Sequence, residues 1–336
     1  MCANETEMQT ELNNNIGHQR RIMRERGICV VIPTYNNAST ICDVVSRTRL
    51  QCDDVIVVCD GSTDGTAELL RSMEGITLVE NARNGGKGEA LKLGFRKAIS
   101  MGFAYAVTLD ADGQHFPEDI PVLLSANIKH PGKLIVGQRR GLDKADRSFG
   151  SKFANSFSNF WFSVQTGVML KDTQTGYRLY PLRKLHGLSL LTSRYEAELE
   201  LLVFSSWHGV DIISEEVSVY YPPREERVSH FRPVADFTRI SVLNTILCVL
   251  AIVYALPLKI LRVLLVFLRT MYSLIAYLMF CFVLLLPIAL VLRATGTRRE
   301  KTSAILHRLL NSVAKLIVLR HGIPGVRYTV ETDGED

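Results

Sequence analysis

The chain has 336 residues, 47% hydrophobic and 22% charged, with a formal net charge of +5. That length exceeds a usual single domain and leaves the part before the apolar C-terminal region enough chain to bury a large core. The small positive charge, with no interleaving of aromatic and basic residues, excludes a nucleic-acid binder. Seven scattered cysteines without a Cys-x-x-Cys pair exclude a zinc site or disulfide framework and fit a reducing compartment.

Residues 1–26 are polar, lack the apolar core of a signal peptide and read as a disordered lead. Ile28 to Ile32, within GICVVIPTYNN, is a buried-strand pattern that breaks at Pro33 into a polar turn. Val55 to Val58, within DDVIVVCDGSTDGT, is a second one, followed by Asp60, Gly61 and Ser62. Short continuous β-branched runs bounded by turn residues are the mark of parallel-sheet strands. NARNGGKGEALKLGF then gives a glycine-rich loop with Lys87, running into a helix with Ala90, Leu91, Leu93 and Gly94 at apolar positions. Such a loop offers a phosphate free backbone N–H groups and a point charge. No Ser or Thr follows the lysine, so it is not a P-loop.

LDADGQH closes the apolar stretch AYAVTL and places Asp110 and Asp112 two residues apart, on one side of an extended segment. A pair opening into a turn at Gly113 can hold a hard divalent cation and leave positions for phosphate oxygens. Alone it reads as a polar strand-end turn; beside the phosphate-type loop it reads as a cation site.

The order and spacing of these four segments resemble the family 2 glycosyltransferases of GT-A fold, above all the dolichyl- and polyprenyl-phosphate sugar synthases. KDTQTGYRLYP, Lys171 to Pro181, is similar to the Gly-aromatic-basic segment of that branch. YEAELELL, Tyr195 to Leu202, continues the likeness, which covers residues 27–232. The resemblance implies an α/β architecture: a Rossmann-like nucleotide-sugar-binding domain with a mixed central sheet over 27–235, followed by C-terminal transmembrane helices. It implies a nucleotide-sugar donor bound by Pro33, Tyr35, Asn36, Asp60, Lys87 and Asp110, with Asp60 on the nucleobase. It further implies Mg²⁺ or Mn²⁺ on Asp110 and Asp112, and a catalytic set of Asp112, Asp172 and Arg178. The sequence departs from the pattern at Cys59, where relatives carry a second Asp; a thiol cannot replace a carboxylate as acceptor.

A polyprenyl phosphate acceptor is already anionic near neutral pH, so transfer to it needs no strong base and is a direct, inverting displacement. A hydroxyl acceptor on a glycolipid or cell-envelope glycan is the alternative and would need a base, with Asp172, Glu196, Glu198 and Glu200 as candidates. A nucleotide-sugar-binding scaffold without turnover is the non-enzymatic alternative. The chain lacks the Gln-x-x-Arg-Trp motif of processive polysaccharide synthases.

Between the two motif regions, Arg139, Arg140, Lys144, Arg147 and Lys152 accompany Phe149, Phe153, Phe157, Phe160, Trp161 and Phe162. An aromatic-rich helix beside a membrane anchor can seat an isoprenoid chain or lie in the interface, and ordinary helix core is the plain alternative. YYPPREERVSHFRP supplies Arg224, Arg227, His230 and Arg232, which suit a lipid-borne phosphate or a nonspecific anionic leaflet. Ile240–Leu258 and Thr270–Leu292 are uncharged, which predicts a membrane region over 240–292 with two spans. The short connection would carry Lys259, Arg262 and Arg269. The positive-inside rule places the catalytic domain and the basic tail, 293–336, in the cytoplasm. In that tail Ile305, Leu309, Val313, Leu316 and Ile317 make an amphipathic helical pattern suited to a membrane surface. The ending HGIPGVRYTVETDGED is similar to the lead-in of bacterial lysophospholipid-type acyltransferases, which implies an acyltransferase partner encoded separately.

Overall fold

A computed structural model of the chain describes residues 16–141, 149–185, 187, 190–220, 233–280, 282, 283, 286–294, 304 and 308. The strands are β1 (Ile28–Thr34), β2 (Val55–Asp60), β3 (Thr77–Asn81), β4 (Tyr105–Thr108), β5 (Leu134–Arg139), β6 (Arg178–Pro181) and β7 (Ile212–Val217). They form one seven-stranded sheet in the order β3-β2-β1-β4-β6-β5-β7. β1 runs parallel to β2 and β4, β2 to β3, and β5 to β7. β6 is antiparallel to both β4 and β5, which makes the sheet mixed.

β1 and β2 are buried along their whole length, as uninterrupted apolar strands must be when helices cover both faces. Alternation divides their side chains between the two faces. Val30, Ile32, Val55 and Val57 share a cluster with Ile41, Val44 and Val45 of α2 (Ile41–Gln51). Val31 and Val58 meet α4 (Lys87–Ser100), where a Cβ on Gly94 would lie 2.4 Å from Val31 Cγ1 and 3.2 Å from Val58 Cγ2. That glycine therefore sets how closely α4 approaches the sheet.

The segment expected to be a disordered lead contains a helix, α1 (residues 16–25). Its main anchor is Met23, 1% exposed in the core cluster, with Ile22 packed beside it. Around it Arg20 and Arg24 pair with Asp53, and Arg26 Nε donates to Asn127 Oδ1 at 2.8 Å. An adjacent apolar pair among charges has no apolar periodicity, so the pattern that reveals a helix is missing.

Three helices pack together beyond β5: α6 (Phe149–Thr166), α8 (Glu196–Trp207) and α9 (Pro233–Leu250). Phe162, Trp207, Leu243 and Leu247 are buried. Polar bonds cross the packing: Gln165 Nε2 donates to Asn244 Oδ1 at 3.1 Å, and Trp207 Nε1 donates to Gln165 O at 2.9 Å.

The apolar region differs from the two spans read in the sequence. Thr238–Met279 is one helix of 42 residues, with a mean hydropathy of 2.3 over its most apolar stretch, long and apolar enough to cross a membrane. It comprises most of α9, a π-helical turn at Ala251–Ala255 and α10 (Leu256–Phe280). Lys259, Arg262 and Arg269, placed in a connection by the sequence reading, lie inside this helix. Lysine and arginine are good helix formers, and the π turn sits where Pro257 removes a backbone donor. A short helix, α11 (Leu286–Ala294), follows. The chain divides into two compact units, Met1–Ala251 and Ile252–Asp336.

Candidate active site

The strand order reverses direction at β1, with β2 on one side and β4 on the other. Ligands of open α/β sheets bind in the crevice beyond the strand carboxyl ends at such a point. The turns after β1, β2 and β4 carry the residues singled out in the sequence. Pro33 is buried within β1, and Tyr35 and Asn36 follow it. Asn36 has φ 54°, its N–H donates to Ser62 Oγ at 3.0 Å, and its Oδ1 accepts from Thr63 N at 2.8 Å. Ala38 N donates to Asp64 Oδ2 at 3.0 Å and Asn37 N to Thr66 Oγ1 at 3.0 Å, so the β1 and β2 turns form one stitched wall.

Asp60 ends β2 beside the glycine loop that leads into α4. It is 2% exposed and accepts from Asn81 Nδ2 at 2.9 Å, Gly85 N at 3.0 Å and Gly86 N at 2.8 Å. Its carboxylate thus holds the glycine loop at the start of α4. Gly61, next to it, has φ +67°, and a Cβ there would lie 2.6 Å from the backbone of Arg83 and Asn84. Only glycine combines that conformation with so close an approach of two chains. Cys59 points the other way, 2% exposed within the core cluster that includes Val55 and Val57.

The loop delivers Lys87 into a cluster of carboxylates. Its Nζ lies 2.8 Å from Asp110 Oδ1 and 2.9 Å from Glu198 Oε2. Burial opposes the lysine's charge, yet Asp110 and then Glu198 outweigh it, and its pKa is raised above the ordinary value. Burial likewise opposes the charge of Asp110, but Lys87 holds its carboxyl below the usual carboxylate range. Asp112 is pushed up to about 6, by burial and then by the charge of Asp110. Asp110 and Asp112 stand in the turn just past β4 rather than on the strand, and Gln114 N donates to Asp112 Oδ1 at 3.0 Å. Gly176 closes over the pair: a Cβ there would lie 2.5 Å from Asp110 Oδ2 and 2.8 Å from Lys87 Nζ.

Asp172 and Arg178 are each bonded to protein partners beside this cluster. Asp172 is 1% exposed and takes a two-pronged bond from Arg139, at 2.7 Å from Nε and 2.8 Å from Nη2. Burial opposes its charge, but Arg139 holds its carboxyl below the usual range. Arg178 is fully buried and donates to Tyr180 Oη at 3.0 Å, Glu198 O at 2.8 Å and Thr173 O at 2.8 Å. A guanidinium bonded in this way fastens the 173–178 turn to α8. Among the base candidates, Glu200 accepts from Thr192 N at 2.9 Å and Thr192 Oγ1 at 2.6 Å. Glu196 keeps Oε2 without a hydrogen-bond partner among the described residues. Arg224, Arg227, His230 and Arg232 lie outside the described residues, as does most of the tail.

Residues 29–177 match the profile of Glycosyl transferase family 2. Polyprenol monophosphomannose synthase of Mycolicibacterium smegmatis is 31% identical over 216 residues, which are 60% of this chain and 79% of that protein. The chain belongs to glycosyl transferase family 2. A second relative, UDP-N-acetylglucosamine–dolichyl-phosphate N-acetylglucosaminyltransferase of Methanococcus voltae, is 28% identical and covers 59% of this chain and 88% of itself. Among solved structures, glucosyl-3-phosphoglycerate synthase of Mycobacterium tuberculosis, in complex with Mn²⁺, UDP and phosphoglyceric acid, superposes with a TM-score of 0.53. That match has 20% identity and covers 71% of this chain and 82% of the other. With the mixed sheet, it shows a GT-A-like fold.

The family 2 fold carries the expectation of a divalent cation, and the residues present fit one. Asp110 and Asp112 supply hard oxygen donors, and their mutual repulsion marks an excess of negative charge that a cation would relieve. His115 adds a buried Nδ1 without a hydrogen-bond partner, 3.9 Å from Asp110 Oδ2. Burial, only partly offset by Asp110, pushes this imidazole down to about 4, so it is neutral. The described residues contain no cluster of three His, Cys, Asp or Glu side chains with metal-ligand geometry. A cation held by one or two carboxylates completes its shell with phosphate oxygens and water, as Mg²⁺ commonly does. The sequence reading missed His115, and it named Glu198 only as one of four base candidates for a hydroxyl acceptor, where the structure pairs it with Lys87. Neither role has a local signal, because Lys87, Asp110 and Glu198 meet only through the fold.

Proposed function

We propose that this family 2 glycosyltransferase moves a sugar from a nucleoside-diphosphate donor to the phosphate of a polyprenyl phosphate at the membrane, inverting the anomeric centre. The observation that carries the reading is the Lys87–Asp110–Asp112 cluster at the sheet's switch point, in a chain that also has a 42-residue apolar helix. The printed activities of the Mycolicibacterium and Methanococcus relatives support it, since their acceptors are lipid phosphates. In the reaction an acceptor phosphate oxygen bonds to the anomeric carbon as the bond from that carbon to the diphosphate oxygen breaks. The nucleoside diphosphate leaves with the electron pair. Mg²⁺ or Mn²⁺, held by Asp110 and Asp112, would supply positive charge to the leaving diphosphate.

Lys87, kept charged by its carboxylate partners, stands where it can take up negative charge that grows on the donor. Gly85 and Gly86, fixed by Asp60, hold the loop that aims it. The acceptor oxygen is already an anion, so no side chain need remove a proton from it. The apolar helix keeps the enzyme beside its lipid, and we place the catalytic domain on the cytoplasmic face.

The test is an incubation of full-length protein in detergent with a panel of nucleotide sugars, with and without polyprenyl phosphate. Nucleotide release that requires the lipid phosphate is expected; release with polyprenol or a glycolipid but not the phosphate sinks the reading. Glu196, with its unpartnered oxygen, favours transfer to a hydroxyl as the second reading. On that reading, Glu196→Gln lowers turnover by roughly 10²–10⁴-fold, the usual contribution of a general base.

A further inference from the structure

Helix α6 turns large apolar side chains outward as well as inward. Its inner side combines buried Phe162 with polar groups: Asn155 and Asn159 donate to Lys171 O at 3.1 and 2.7 Å. Asn159 Oδ1 accepts from Thr173 N at 3.0 Å, and Thr173 Oγ1 donates to Ser158 Oγ at 2.8 Å. Its outward side is aromatic, with Phe153 54%, Phe160 59% and Val164 55% exposed. With half-buried Phe157 these positions follow one another at helical spacing and make a stripe without a charge. Trp161 packs edge-on against Phe160 and Phe157, with ring centroids 5.3 and 6.2 Å apart. Just past the helix, Met169 is 89% exposed.

The neighbour of α6 says what covers the stripe. α9 packs on α6 through Gln165 and Asn244 and turns Val242, Ile246 and Val249 outward, 54%, 44% and 57% exposed. Those residues belong to the helix that is long and apolar enough to cross a membrane. Exposed apolar side chains on two packed helices, one of them a membrane-crossing candidate, form one lipid-compatible surface. Aromatic side chains are the residues enriched where hydrocarbon meets headgroups.

We propose that the Phe153–Phe157–Phe160–Val164 stripe of α6 is a second membrane contact, seated in the bilayer interface beside α9. It rests on the membrane-anchored reading above. Because the other side of α6 bonds the backbone at Lys171 and Thr173, on both sides of Asp172, this contact holds the 171–176 turn at a fixed depth below the lipid headgroups. Gly176, which covers Asp110, lies in that turn, so the site faces a phosphate presented at headgroup level.

The protein has two tryptophans, of which Trp207 is 2% exposed in the core and serves as the internal reference. Full-length protein is reconstituted into phosphatidylglycerol–phosphatidylcholine vesicles with or without acyl-chain bromine, which quenches tryptophan on contact. The emission lost in the Trp161→Phe variant, taken as wild type minus variant, is expected to be quenched in brominated vesicles, while the residual Trp207 emission is not. Hydroxyl-radical labelling of wild type gives a second readout that needs no variant: Phe153 and Phe160 are expected to stay unlabelled in vesicles despite their exposure. Unquenched Trp161 emission, or labelled phenylalanines, in vesicles that keep the protein through a carbonate wash overturns the stripe contact and leaves the anchor standing. A dimer in detergent that Phe153→Ser plus Phe160→Ser dissociates, with Trp161 unquenched, assigns the stripe to a second copy and likewise overturns it.

Discussion

Asp112 is pushed up to about 6 by burial and the neighbouring Asp110. A cation is the natural partner for its charge, and Asp112→Asn should lower turnover by roughly a hundredfold or more, the scale of losing one stabiliser of transition-state charge. Chelation of divalent ions should silence the wild type, with Mg²⁺ or Mn²⁺ restoring it; full activity in chelator refutes the assignment. Asp60 makes a sharper test, because its two possible roles give opposite results. A residue that reads the nucleobase alters selectivity, whereas one that holds the glycine loop weakens every nucleotide alike. Asp60→Asn removes a charged acceptor from two backbone N–H groups, each such bond being worth about 1.5–3 kcal/mol. Calorimetry should show the affinities for UDP and GDP falling together with their ratio unchanged. A changed ratio returns Asp60 to the base.

At the scale of elements, what the sequence reveals and what it conceals divide by distance. β1, β2, the start of α4 and the turn at Asp110–Asp112 are legible because each is a continuous run of residues with its own apolar pattern or turn chemistry. The contacts of Asp60, Glu198 and Arg178 are not, because each meets a partner far along the chain: Gly86 for Asp60, Lys87 for Glu198, the Glu198 carbonyl for Arg178. A motif names the residue type, and the fold decides which way it faces. The Arg139–Asp172 pair, which joins β5 to the 171–176 turn, carries a pH signature. The pKa of Asp172 is depressed in the folded chain, so its contribution is complete above the ordinary carboxylate value. It is lost as pH falls through the lower folded value. Asp172→Asn removes the buried charge that Arg139 bonds with two prongs and should cost about 3–5 kcal/mol near pH 7. Thermal unfolding in detergent should show this gap from wild type closing only in acid below pH ~4, the ordinary Asp value. A gap constant down to pH ~3, below the ordinary Asp value, contradicts the pairing.

For the whole molecule the decisive quantity is length. At 1.5 Å per residue a 42-residue helix extends about 60 Å, twice the roughly 30 Å hydrocarbon core of a bilayer. A helix of that length is more than long enough to cross the hydrocarbon core once. High salt or carbonate should leave the full-length protein in the membrane fraction, since burial of an apolar helix is not an electrostatic attachment. Release by either wash refutes the anchor.

The stretch that carries the family signature, 29–177, stops short of what completes its own centre. Lys87 has its second counter-charge on Glu198, and Gly86 and Gly88 rest against Ser193 and Arg194, so closely that a Cβ on either would lie 2.8 Å from Ser193 O. During synthesis the nascent chain thus holds an unfinished pocket, with the lysine over-exposed, until α8 has emerged. A fragment cut at the signature's edge is not a minimal enzyme but an interrupted one, and a unit to express must keep both α8 and the edge strand β7.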